Sequence, residues 1–413
     1  MIRKLVRDYI PIFLCVFLSF TQLKVFLPFI NSLVIMAIGL IISVLYYRDF
    51  YKQAYIRWII VYALVLVINN IFGDYYFKLI TNVAEEICLL LFPAALSYFI
   101  ISRRKYTAAT ILIYAFFLLI VYSAVASFIV DTIFPDAIRT TVYLSNNEET
   151  DALNLYYGMG LVTYKFCHAL PIIIPALIYA FLRSKRGFIF KSMAFITFVA
   201  LLFIVYLSNA TTALLLALLA LVTSVLVSEK STQTTIIRLA VVSVVFLPFI
   251  ISSDLLIDLL EYVGSLFTDN TNSSVERLED IRTMGETGKA TGDLGGRMDK
   301  YSISMSILEG NILIGSDMQT GEHSAILDRL ACLGLIGWIP YIIYIVKNTL
   351  KQTKLLSKKV STYYIIGALA AFLMLLSKNM SDWDTWFMYF CLLPVMLWQT
   401  SLEPAEVEQL KKK

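Results

Sequence analysis

Residues 107–130 read TAATILIYAFFLLIVYSAVASFIV, a run without a single charge. About 20 apolar residues in a helix cross the hydrocarbon of a bilayer, so this run is long enough to do so. Reading outward from it in both directions gives twelve runs of this kind: about 9–23, 28–47, 58–72, 79–101, 107–130, 158–182, 192–208, 210–228, 238–252, 324–346, 360–377 and 383–400. Over the 413 residues, 59% are hydrophobic and 15% charged. A soluble domain carries about 25% charged residues, and no single globular core absorbs so much apolar surface. The composition excludes a disordered chain, a coiled coil, a secreted disulfide scaffold and a nucleic-acid binder. The expected fold is all-α, a polytopic membrane protein of about 12 transmembrane helices.

Lys and Arg orient the spans, because they accumulate in cytoplasmic segments. One set of segments, 1–8, 48–57, 102–106, 183–191, 229–237, 347–359 and the 401–413 tail, holds Arg3, Lys4, Arg7, Arg48, Lys52, Arg103, Lys105, Lys185 and many more. The short segments between them offer only Lys24, Lys78, Arg139 and Lys378. Both termini are therefore expected in the cytoplasm, with an uncleaved first helix after the basic start MIRKLVRDY. The chain divides into helices 1–9 over residues 1–252, a long external loop over 253–323, helices 10–12 over 324–400 and a basic cytoplasmic tail over 401–413. A second external loop covers about 131–157. The long loop carries thirteen acidic residues against five basic ones, at no metal-ligand spacing, and is expected to bear the functional elements. The five cysteines, at 15, 88, 167, 332 and 391, all sit in apolar runs and read as small buried hydrophobes.

Only His168 and His323 represent histidine. His323 stands where the long loop meets the tenth span, in GEHSAILDRLACLGLIGW. Continued as one helix, that stretch places Gly334 and Gly337 on the face of His323, roughly 16 to 21 Å deeper. Small residues there let a neighbouring helix approach, with the imidazole at the outer mouth of the pair. The plainer alternative is an interfacial histidine without a role. Upstream, Arg297 follows Gly295 and Gly296, and Tyr301, Met305, Leu308 and Ile312 form an apolar stripe at helical spacing. A guanidinium at the start of such a surface helix suits a phosphate, whereas a solvated loop arginine is the bland reading. Within the spans, Lys165 and His168 are expected on one helix face, with Lys165 read as a second cation reaching an anionic headgroup. Asp328 and Arg329 read as structural, in ion pairs or snorkelling to the interface, and Glu85 and Glu86 are the acids of the fourth span. Asp382 and Asp384, in the short SDWDTW turn, read as interfacial punctuation, with Trp383 and Trp386 as belt aromatics. Nucleotide-binding, zinc-hydrolase and serine-hydrolase motifs are absent from the sequence.

His323-Ser324, nine residues, then Gly334-Leu-Ile-Gly337 resembles the His-[Asn/Ser/Gln]-x9-Gly-x-x-Gly signature of the bacterial O-antigen ligase/O-antigen polymerase superfamily. The upstream Gly-Gly-Arg297 with Tyr301 and ILEGNILIG is similar to the segment preceding that histidine in the family. The motifs cover roughly residues 290–345, and the span plan extends the likeness to the whole chain. The resemblance implies an integral-membrane glycosyltransferase in the bacterial cytoplasmic (inner) membrane, with its active site facing outward. Its donor would be an undecaprenyl-diphosphate-linked glycan and its acceptor a second glycan, with a flippase and a chain-length regulator as neighbours in O-antigen or capsule synthesis. Arg297 would contact the diphosphate, and His323 would activate the acceptor hydroxyl or steady the leaving group. The family's second arginine has no counterpart at Ser208-Asn209-Ala-Thr-Thr-Ala, which leaves Lys165, Arg139 and Arg329, in that order, to take its place. A cationic clamp works without a metal or cofactor, and none is expected. Polymerase is favoured over a ligase acting on lipid A core, because such polymerases diverge widely in sequence. A flippase or secondary transporter is the reading from another class, and the absence of an internal repeat weighs against it.

Overall fold

The computed structural model describes residues 2–27, 31–72, 79–146, 150–227, 292–316 and 320–411. Among the described residues every regular element is helical. Six helices are long and apolar enough to cross a membrane: Val83–Ser102, Tyr106–Ile133, Tyr164–Leu182, Phe188–Leu207, Ala325–Leu355 and Lys358–Ser377. Ser32–Tyr46, Ile56–Asn69 and Thr211–Leu226 are shorter apolar helices. The first expected run divides into Ile10–Ser19 and Thr21–Phe26 at an extended Phe20. The last is Trp383–Phe387, a π-helical turn Met388–Leu392 and Leu393–Ser401. The expected ninth span at 238–252, and the long loop as far as residue 291, lie outside the described residues.

Local chemistry sets several boundaries. Asn31, Thr163, Ser324 and Asp382 each accept a backbone N–H of the first turn they precede. Thr163 starts its helix at Tyr164, so the expected span at 158–182 begins six residues late and Lys165 falls in its first turn. The expected external loop at 131–157 is largely helical, as Ala137–Asn146 and Thr150–Gly158.

Of the six long helices, Tyr164–Leu182 is the most enclosed, 83% buried over its apolar window, whereas Phe188–Leu207 is 39% buried and turns Phe195, Ile196 and Val199 outward. A bundle immersed in hydrocarbon can leave such side chains on its perimeter at no cost, and its packing rests on close contact and polar cross-links. Here Tyr344 donates to the Leu90 carbonyl at 2.9 Å, Gln352 to Ser97 at 2.7 Å and Gln399 to Thr110 at 2.6 Å. Trp383 and Trp386 do not form a lipid-facing belt: both are buried in protein and donate to Ser19 and Ser381, each at 3.0 Å. Four cysteines are buried and Cys332 is half-buried, all of them as free thiols.

The basic segments gather at one end of the bundle. Lys105 meets Asp8, Arg103 meets Asp49, and Lys185 and Lys359 both reach Glu403. Lys4 and Leu410 line one cavity there, so the described chain begins and ends on the same side.

Candidate functional site

The opposite end holds the motif residues. Ser324 caps the Ala325–Leu355 helix, its Oγ accepting from Leu327 N–H at 3.2 Å. Asp328, one turn in, accepts from the Ser324 N–H at 3.0 Å and from the Ser304 hydroxyl at 2.7 Å. Ser304 lies on the helix Gly292–Gly310 and its hydroxyl also accepts from the Gly321 N–H at 3.0 Å. One carboxylate thereby ties the loop on both sides of His323 to the neighbouring helix. Half-buried His323 packs against the edge of Tyr301, ring centroids 5.6 Å apart, and the Tyr301 hydroxyl donates to the Ser377 carbonyl at 2.9 Å.

Arg297 is on that same helix, four residues before Tyr301. Four residues advance a helix by about 6 Å and 40° beyond a full turn, so Arg297 takes the position one turn along from the tyrosine that touches His323. Its side chain lies outside the described residues. Gly295 and Gly296 belong to the helix and form no separate glycine loop. The buried side of the helix is Ser304 and Ile307; of the expected stripe, Tyr301 and Leu308 flank that side half-buried, Met305 is exposed and Ile312 falls beyond the helix end. The stripe pattern missed this because a helix at a membrane surface can turn its apolar residues toward lipid and its small polar ones toward protein.

The expected common face of His323, Gly334 and Gly337 does not exist. His323 precedes the N-cap, and the helix breaks at Gly334, whose φ of 56° and ψ of −171° no helix contains. The segment after Gly310 fills the break. Leu335 N–H donates to the Ile312 carbonyl at 2.9 Å, Ile336 N–H to Leu313 at 3.1 Å, and Ser316 N–H to the Ala331 carbonyl at 3.1 Å. Backbone groups released inside a bilayer must find such partners. Gly315, at φ 83°, faces Gly334 across the joint, and a Cβ on either would overlap the other segment's backbone. Gly337 does serve close packing, lying against Val65 of the helix Ile56–Phe72.

The three expected auxiliary cations separate. Arg329 is enclosed: Nη2 donates to Glu86 at 2.7 and 2.9 Å and to Ser381 at 2.6 Å, and Nη1 to the Ala325 carbonyl at 3.0 Å. Its guanidinium lies 5.1 Å from the Tyr341 ring centroid, and Tyr62 donates to Glu86 at 3.2 Å. These partners give it the structural role expected of Asp328 and Arg329, and they occupy the donors that a phosphate would need. Lys165 is exposed, within electrostatic reach of Glu85, whereas His168 is fully buried with Nδ1 3.0 Å from the Tyr164 carbonyl; they do not share a surface. Arg139 is half-buried on Ala137–Asn146. The residues that sequence reasoning passed over are Ser304 and Ser381. A serine on a short helix carries no signal of its own, since only the tertiary approach of Asp328 or Arg329 gives it a task. Set against profiles of known protein families and against curated protein sequences, the chain matches none.

Proposed function

We propose that the protein is an integral-membrane glycosyltransferase that polymerises polyprenyl-diphosphate-linked glycan repeat units at the outer face of a bacterial cytoplasmic membrane. The observation that carries this reading is the contact of His323 with Tyr301, one helical turn from Arg297. Two sequence segments that resemble the superfamily's motifs are held against each other by Ser304 and Asp328. The lipid-linked donor enters from the outer leaflet, and Arg297 is the residue assigned to bind its diphosphate. The acceptor hydroxyl attacks the anomeric carbon and loses its proton to His323 as the new C–O bond forms. The old bond to the diphosphate oxygen breaks, and the electron pair leaves with the polyprenyl diphosphate. A leaving group that already bears charge needs stabilisation more than a strong base, and a guanidinium supplies it. Lys165 is the auxiliary cation of choice, because it is exposed while Arg329 is engaged by Glu86.

A transporter reading draws on the broken helix, a device that transporters use to coordinate ions. Here the carbonyls of Ile312 and Leu313 fill the break, so its backbone groups are turned toward protein and not toward a solute. Arg297→Ala and His323→Ala should abolish polymer while leaving the membrane content of the protein unchanged. Polymer of normal length from cells carrying Arg297→Ala would overturn the assignment. In a deletion strain, single repeats on the acceptor mark a lost polymerase, and free lipid-linked polymer marks a lost ligase.

A further inference from the structure

The far end of the bundle holds a second site of different character. A cavity of about 340 Å³, within the size range of small-molecule sites, lies beside the N-terminal helix Ile2–Asp8. Five cations line it, Arg3, Arg7, Arg48, Lys52 and Arg103, against the single acid Asp49. Arg7 is engaged by Asp8 and Arg103 by Asp49. Arg3, Arg48 and Lys52 have no ion-pair partner among the described residues, and all three are exposed. A general excess of positive charge at the cytoplasmic ends of spans does not require convergence on one cavity.

The remaining wall indicates what kind of anion fits. Leu45 and Tyr46 close one side, and the Arg3 guanidinium is 6.0 Å from the Tyr46 ring centroid. Leu45 is the last member of a stripe that continues down the helix Ser32–Tyr46 as Ile41, Ile38 and Val34, between 44% and 59% exposed. Spacings of four, three and four keep these side chains on one face. The cationic cavity therefore opens at the head of an apolar track. On the N-terminal helix, Ile2 and Leu5 are 75% and 53% exposed beside Arg3 and Lys4, as in a helix that lies in the interfacial plane.

We propose that this cavity binds the phosphodiester headgroup of an anionic glycerophospholipid, with one acyl chain along Leu45, Ile41, Ile38 and Val34. Arg3, Arg48 and Lys52 provide the charge, Tyr46 the stacking surface for Arg3. A free phosphate would use the cations and leave the track without purpose. The inference needs the bundle to sit in a bilayer and is independent of any chemistry at Arg297 and His323, which belong to the opposite end of the bundle.

The test uses the full-length protein in detergent, with lipid retention read by native mass spectrometry. The probes are phosphatidylglycerol, phosphatidylcholine and inorganic phosphate. Phosphatidylglycerol should be retained, and Arg3→Gln/Arg48→Gln/Lys52→Gln should weaken it by about tenfold or more. Arg48→Gln alone should act in the same direction with a smaller loss, should the triple variant fail to elute as a monodisperse helical protein. The matched variant Lys347→Gln/Lys354→Gln/Lys358→Gln, at exposed positions outside the cavity, should bind as the parent does. An equal loss from the matched variant would reduce the effect to diffuse charge and overturn the proposal. So would equal retention of phosphatidylcholine, or displacement of the lipid by inorganic phosphate at comparable concentration.

Discussion

Gly334 holds φ at 56° in the middle of an apolar helix, and the Leu313 carbonyl occupies the space where a Cβ would be. A residue with a side chain would be strained twice over, by its backbone conformation and by overlap with backbone that cannot rotate away. Gly334→Ala should therefore destabilise the protein by about 1–3 kcal/mol, visible as a lower melting midpoint in detergent. An unchanged midpoint would mean that the joint between the two segments is not as described. The glycine itself was conspicuous in the sequence, but its purpose was not. A Gly-x-x-Gly in a membrane helix fits helix–helix packing, and only Gly337 uses its missing Cβ in that way. Gly334 instead lets a non-helical segment enter the helix axis, which depends on residues some twenty positions earlier in the chain.

Between elements, a largely enclosed ion pair of Arg329 and Glu86 joins Ala325–Leu355 to Leu79–Ser102. Both side chains are about 15% exposed, so neither ion can recover its hydration if the other is lost. Removing one partner of such a pair typically costs about 3–5 kcal/mol, because an uncompensated charge remains. Glu86→Gln should accordingly lower stability by about that amount. Glu86→Leu combined with Arg329→Met should restore most of it, since paired removal also removes the desolvation cost. A double variant no more stable than Glu86→Gln would contradict this balance. That Arg329 belongs to a structural pair was legible from the expense of charge within a span. Its partner was not, because Glu86 lies more than two hundred positions away and stands beside Glu85, an equally plausible acid that lies within electrostatic reach of Lys165.

At the scale of the whole molecule, the end opposite the motif residues is held by ion pairs, and their pH response follows from Asp8. Burial alone would raise its carboxyl, but hydrogen bonds from Arg7 and Lys105 outweigh that and carry it below the ordinary 3.8. A depressed carboxylate stabilises the folded state above its unfolded value, and the contribution is lost as pH falls through the lower, folded one. The melting midpoint of the parent should fall between about pH 5 and pH 3 more steeply than that of Asp8→Asn. Parallel curves for the two would show that Asp8 does not tie the N-terminal helix to the turn at Lys105. This end was the most legible part of the molecule. The alternation of basic and neutral segments along the chain already grouped residues 1–8, 48–57, 102–106, 183–191, 347–359 and the tail, and the ion pairs join members of that group.

Composition and run length were enough to establish a helical, membrane-embedded plan, because the bilayer imposes one length scale and one polarity on every span. Motif spacing, and the resemblance it carries, singled out His323 and Arg297 as residues of interest. Which residues surround them could not be read from the chain. The break at Gly334, the bridge from Ser304 to Asp328 and the enclosure of Arg329 each satisfy a polar group by a partner remote in sequence. Hydropathy records how much of a segment avoids water; it holds no record of which distant donor meets which acceptor, and that pairing decides the site.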